Sequence, residues 1–241
     1  MPLSLPAVVE GPASFGSSKE FEDLIYLLSH DVRNSVRALI ELPQWIEQDL
    51  AAAGIKVGGS LEQTIGLMNC HTARLDRMLF DLLTFSRVGR MQDVIVVDLD
   101  DALTDVMDEI GLPEGWIVIR NMDSPTLRIG EMDAPLLLRA LISNAIKHHD
   151  RDVGKIVVTT HTDRTETVLS VRDDGPGISN EFREQVFEAM RTLQPRDEVE
   201  GSGMGLTIAR KIAQHYGGSV AITSPGSKRG LEVEVRFPAI Q

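Results

Sequence analysis

Two long stretches of this chain place apolar residues on one narrow stripe, and nothing else in the sequence constrains the fold as strongly. The first seam starts at Phe21 and runs through Ile25, Leu28, Val32, Leu39, Leu42 and Ile46 toward Gly54. The second runs through Leu61, Ile65, Met68, Thr72, Leu75, Leu79 and Leu82 and ends around residues 86–89. Heptad-like spacing of this kind specifies long amphipathic helices. Ser17-Ser18-Lys19-Glu20 and Ser60-Leu61-Glu62-Gln63 have the form of capping boxes at their starts, with residues 54–59 as the turn between them. Two antiparallel helices with narrow seams are half of a four-helix bundle, and a second copy would bury the stripes. The expectation is a homodimer; a hairpin packed on its own chain is the alternative.

After Arg90 the pattern changes. Strand-like runs are expected at 94–97, 116–120, 155–161, 167–172, 219–223 and 231–237. Helices are expected near 101–110, 135–149, 179–189 and 204–216. The order is not a regular βαβ repeat, which implies an α+β sandwich with one mixed sheet and helices on one face. With 241 residues there is room for two domains. The reading is a flexible arm at 1–16, a helical hairpin at 17–90 and an α+β domain at 91–241.

Charge removes several function classes. With 36 acidic against 24 basic residues the net charge is −12, which repels nucleic-acid phosphates and anionic membrane surfaces. No apolar run is long enough to span a bilayer, and the single cysteine, Cys70, fits a reducing compartment. A cytoplasmic protein is expected, with any signal delivered by a separate sensor protein or domain.

Four short motifs carry chemistry. In Ser29-His30-Asp31-Val32-Arg33-Asn34, His30 lies two residues from both Leu28 and Val32, so it should point away from the seam. Asp31 beside it can raise the basicity of the imidazole and take its proton, which suits a nucleophile. Asn34 follows one turn later. Alone this is weak, since a helical surface histidine is far more often merely solvated. Next, Asn144, Lys147 and His148 fall at helical spacing on one face. An amide oxygen can ligate Mg²⁺ and a lysine can neutralise phosphate, although basic residues also simply favour a helix C-terminus.

The third motif is Asp173-Asp174-Gly175-Pro176-Gly177, after a strand. Its glycines let a flat ring approach the backbone, and Asp173 could accept a hydrogen bond from an exocyclic amine. The fourth, Gly201-Ser202-Gly203-Met204-Gly205-Leu206, opens a helix and exposes backbone N–H groups to an anion. The polar stretch at 190–200 reads as a mobile lid whose Arg191 and Arg196 could reach phosphate. Each signal is weak singly; their order makes them strong together.

In that order the motifs resemble those of sensor histidine kinases of two-component systems, over residues 18–238. His30 to Asn34 resembles the H box, and Asn144 with Lys147 the N box. Asp173 to Gly177 resembles the first glycine box, Phe187 the F box and Gly201 to Gly205 the second glycine box, with Gly217-Gly218 following the lid helix. The resemblance implies a Bergerat-type ATP-binding domain behind a dimerisation and phosphotransfer hairpin. It implies His30 as phosphoacceptor, Asp31 as base, and Asn34 as the residue positioning water for dephosphorylation. ATP would be held by Asn144 (through Mg²⁺), Lys147, His148, Asp173, Gly175, Gly177, Arg196, Gly201, Gly203, Gly205 and Leu206. The partner implied is the receiver domain of a response regulator. Ser35 stands where the family usually has proline, so the helix bend is expected to be weaker or shifted toward Pro43.

Two rival readings compete with this one. ATPases of the chaperone or mismatch-repair kind share this fold but place a glutamate four residues before the asparagine; here that position is Ala140, which cannot activate water. A phosphotransfer scaffold that has lost ATP would be expected to lose its glycine boxes, and both are intact.

Overall fold

The computed structural model describes residues 18–193, 201–223 and 229–239, with side chains described from residue 32 onward. Helix α1 spans Ser18–Ala52 and continues through Pro43; helix α2 spans Ser60–Arg87. The turn between them falls where the glycines place it. Ser60 is the first residue of α2 and not its cap: Gly59 holds the N-cap position at φ +63°, with no side-chain cap bond. The capping-box reading there is thus corrected, because a hydroxyl already inside the helix cannot turn back onto its first amides. Ser17 lies outside the described residues.

The hairpin interior is small. Val36, Ile65, Leu79 and Leu83 are buried. Arg33 reaches across to α2, with Nε 3.5 Å from Asp76 Oδ1 and the guanidinium 5.4 Å from the Phe80 ring centroid. The seam residues Val32, Leu39, Leu42, Ile46, Leu61, Met68 and Leu75 remain 36–44% exposed. One copy of the hairpin therefore leaves most of its apolar stripe in water.

Behind the hairpin lie β1 (Val94–Asp98), α3 (Leu99–Ile110), β2 (Ile117–Met122), β3 (Thr126–Gly130), α4 (Asp133–Lys147), β4 (Lys155–Asp163) and β5 (Glu166–Asp173). After β5 come two single 3₁₀ turns, then α5 (Gly205–His215), β6 (Ser219–Ile222) and β7 (Glu232–Pro238). The main sheet has the order β2-β4-β5-β7-β6 and is mixed: β2 and β4 are parallel, the remaining pairs antiparallel. β1 and β3 form a separate antiparallel ribbon. Register aligns Val158 with Val171 and Val171 with Val233, and Leu169 with Val235. These residues share the buried face against which α3, α4 and α5 pack through Leu103, Leu138, Ile142 and Ile212. A mixed-sheet sandwich behind a helical hairpin is the fold class expected.

Two expectations fail locally. The helix expected at 179–189 is only two 3₁₀ turns, Asn180–Phe182 and Gln185–Phe187. The segment drops Phe187 into the core and lays no continuous face there, so there is no apolar stripe to sustain an α-helix. Strand β3 has no counterpart among the expectations, although Leu127 and Ile129 alternate with exposed residues as a half-buried strand should.

Candidate active site

Strand β5 ends at Asp173, whose carboxylate is fixed before any ligand arrives. Asp173 Oδ1 accepts the amides of Gly175 (2.9 Å) and Leu231 (3.0 Å). Oδ2 has no hydrogen-bond partner among the described residues and is available to a ligand. Burial raises the Asp173 pKa, and the two amides pull it part of the way back. Gly175 has no room for a side chain: a Cβ there would lie 3.0 Å from Asp173 Oδ1 and 3.1 Å from the His149 ring.

His149 is the residue that the sequence reading did not single out. Its side chain is 1% exposed, under the glycine turn. Nε2 lies 3.1 Å from Asp174 Oδ1, and Nδ1 lies 3.1 Å from the Arg151 amide. Nδ1 also lies 3.2 Å from the Arg151 carbonyl, so both ring nitrogens are held by neighbouring polar groups. Trp116 meets the ring edge-on, with centroids 5.0 Å apart. Asp174 Oδ1 also accepts the Lys155 amide at 2.7 Å. Partial burial works to raise the Asp174 pKa, but the Lys155 amide and His149 outweigh it and the net shift is downward. Arg229 clamps the outside, bonding Asp150 with both terminal nitrogens (3.0 and 2.7 Å) and the Asp174 carbonyl at 3.1 Å. His148, by contrast, is an exposed residue at the C-cap of α4.

On α4, Asn144 is half-buried and its carboxamide has no hydrogen-bond partner among the described residues; Lys147, one turn on, is exposed. Ala140 precedes them by a turn, and its carbonyl is the nearest atom, at 3.8 Å, to a Cβ built on Gly205. The asparagine helix and the second glycine loop therefore adjoin. That loop is tightly held: Gly203 has φ +76°, and a Cβ would come within 2.6 Å of the Arg191 carbonyl. Ser202 Oγ accepts the Met204 amide at 3.1 Å, and Met204 and Leu206 are buried below it. Phe187 is buried nearby with the Arg210 guanidinium 4.3 Å from its ring centroid, and Arg210 is paired with Glu184. Arg191 bonds Glu188 and Gln185. Gly177 (φ +72°) closes the first glycine turn, and Gly201 leads into the second.

The structure thus brings Asn144, Lys147, Asp173, Gly175, Gly201, Gly203, Gly205 and Leu206 to the α4 and α5 side of the sheet. Arg196 lies outside the described residues, as do the side chains of His30 and Asp31, although both positions are helical in α1. Asn34 and Arg37 are exposed on α1, while Arg33 turns to Asp76. Among the described residues no three His, Cys, Asp or Glu side chains cluster as a metal site. An orphaned Asn144 oxygen fits Mg²⁺ held mainly by phosphate and water, as this ion prefers. No helix among the described residues is long and apolar enough to cross a membrane.

An ATPase-type α/β sandwich with two glycine turns, joined to a helical hairpin, is the class this fold and site define. Residues 131–241 match the family described as histidine kinase-, DNA gyrase B-, and HSP90-like ATPase. The methanogenesis regulatory histidine kinase FilI of Methanothrix harundinacea is 28% identical over 218 residues, covering 85% of this chain and 23% of its own length. The signal transduction histidine-protein kinase AfsQ2 of Streptomyces coelicolor is 30% identical over 224 residues, covering 88% of this chain and 40% of its own length. A crystal structure of full-length ShkA in complex with AMPPNP superposes with a TM-score of 0.65 at 22% identity, covering 90% of this chain and 46% of that one. Residues 131–241 thus carry an ATPase domain of that family, and the chain as a whole is similar to histidine kinases. It spans less than half the length of either curated relative.

Proposed function

We propose that this chain is the kinase core of a two-component sensor: it uses ATP to phosphorylate His30 and passes the phosphoryl group to an aspartate of a response-regulator receiver domain. The observation that carries the reading is the convergence of Asn144, the Asp173 turn and the Gly201–Gly205 loop on one side of a sheet whose neighbouring hairpin bears His30. The bound AMPPNP of ShkA supports ATP as the nucleotide. Asp173 Oδ2 would accept the adenine amine. Lys147 and the loop amides would neutralise and orient the phosphates, with Asn144 holding Mg²⁺, which supplies charge neutralisation at the triphosphate. A ring nitrogen of His30 forms the N–P bond as the bond from γ-phosphorus to the bridging oxygen breaks; ADP leaves and Asp31 takes the imidazole proton. Asn34, exposed one turn along, would position water for phosphatase action on the partner. The boundary between hairpin and ATP domain is placed at residues 88–92, and use of ATP places the chain in the cytoplasm.

The exposed seam supports a homodimer, since a second copy would cover it. Labelling with γ-³²P ATP tests the assignment. Wild-type protein should gain acid-labile label, His30→Gln should gain none while binding ATP within about twofold of wild type, and Asn144→Asp should lose binding and label together. Acid-labile label on the His30→Gln protein would overturn it.

A further inference from the structure

The two ends of the proposed ATP site sit on different elements. Asn144 and Lys147 belong to α4, whereas Asp173 ends β5. A nucleotide that touches both needs them at a set distance, because its base and its phosphates are joined through one ribose. His149, which belongs to neither set of contacts, braces these two elements against each other.

The brace is firm at both feet. The chain leaves α4 at Lys147 and stays coiled, with the His149 amide bonded to the Ile146 carbonyl at 3.4 Å. Two residues past the helix the imidazole is 1% exposed, edge-on to Trp116 and 3.1 Å from Asp174 Oδ1. Trp116 is itself wedged: its Nε1 donates to the Asp152 carbonyl at 3.0 Å, and a Cβ on Gly154 would come within 2.8 Å of its ring. At the other foot, Asp174 Oδ1 also takes the Lys155 amide at 2.7 Å. Gly175 closes the fit, since a Cβ there would lie 3.1 Å from the imidazole and 3.7 Å from the His149 Cα.

His149 does not orient the Asp173 carboxylate. The Gly175 and Leu231 amides do that, through Oδ1 and without any part of His149. What the ring sets is the place of the 173–175 turn relative to α4. We infer that His149 is a positioning residue for the nucleotide: through Asp174 it fixes the spacing between the base end and the phosphate end of the site, and so favours ligands that span both. The inference rests on the nucleotide site proposed above. A spanning ligand gains from its second contact only while the two halves are held at its own span. A ligand that touches one half gains nothing from the brace.

Titration of the full chain with MgATP, adenosine and magnesium tripolyphosphate tests this in wild type, His149→Phe and Asp174→Ala. Phenylalanine fills the space of the imidazole without a polar group. Asp174→Ala breaks the same contact from a side chain that is 51% exposed, so it carries the test alone if the phenylalanine variant does not fold. Both variants should bind MgATP about tenfold more weakly than wild type. Adenosine and tripolyphosphate, which each meet one half, should stay within about twofold. A fall shared equally by adenosine or tripolyphosphate would make His149 a plain structural support of that half. Unchanged MgATP affinity in both variants would make the contact idle. Either result overturns the inference and leaves the functional reading intact. A wild-type protein that binds no MgATP would refute that reading, and this inference with it.

Discussion

Asp173 shows how much a single side chain can be asked to do. One oxygen is bound by two amides and the other is open, so the group serves both the fold and a ligand. Asp173→Asn can keep both amide bonds through its Oδ1, but it turns an NH₂ toward the adenine amine, donor against donor. Since burial raises the carboxyl pKa, the ionised form is disfavoured in the folded state relative to the unfolded one. That contribution is most favourable at low pH and is lost as pH rises through the folded pKa. The variant should therefore melt no lower than wild type at pH 7, and above it if the amide bonds are kept, while ATP affinity falls at least tenfold; calorimetry and titration read the two separately. Tyr216 makes the complementary case. Its hydroxyl donates to buried Asp133 at 2.7 Å, so Tyr216→Phe should cost about 1–3 kcal/mol in urea unfolding. Site residues such as Asp173 and Asn144 could be read from the sequence because their motifs are short and local. His149 and Arg229 could not. His149 acts on a turn at Asp174, and Arg229 on Asp150, contacts that exist only after the chain folds back.

Among the elements, the second glycine loop tolerates little change. Gly203 combines φ +76° with backbone of residues 190–191 against the space a Cβ would fill. Gly203→Ala should destabilise the ATP domain by about 1–3 kcal/mol, visible as a lower thermal midpoint even without nucleotide. The loop carrying Arg229 is tied to the segment just after α4 by the Asp150 bridge, which holds the Asp150 carboxyl at about 2 against an ordinary 3.8. A depressed carboxyl stabilises above its unfolded pKa and loses that contribution as pH falls toward 2. The difference in melting temperature between wild type and Arg229→Gln should accordingly be constant above about pH 4 and vanish near pH 2; a difference that grew on acidification would exclude the bridge as its source. The strands of the main sheet and the five α-helices follow hydrophobic period closely enough to be seen in advance. What period could not show was the 179–189 segment, where a few apolar residues mimic a helical face but only Phe187 needs burial. Nor could it show Gly59 replacing Ser60 as the cap, which depends on where the inter-helix turn unwinds.

For the whole molecule, the exposed seam of the hairpin and the buried core of the sandwich pull in different directions. The sandwich closes its core within one chain; the hairpin does not, with Leu39 44% and Leu42 39% exposed. If two copies bury that stripe, each leucine contributes roughly 1.5–3 kcal/mol when fully covered. A double substitution, Leu39→Glu with Leu42→Glu, places charge at two seam positions in each copy. The dimer dissociation constant should rise more than a hundredfold, a change of about 3 kcal/mol or more. Light scattering at micromolar concentration should then report one chain where wild type reports two. The nucleotide site draws on α4, β5 and the glycine loop of a single chain, so MgATP affinity in the variant should stay within about threefold of wild type. A wild-type chain that is already monomeric with its helices intact would exclude the dimer, and the seam would then need another occupant.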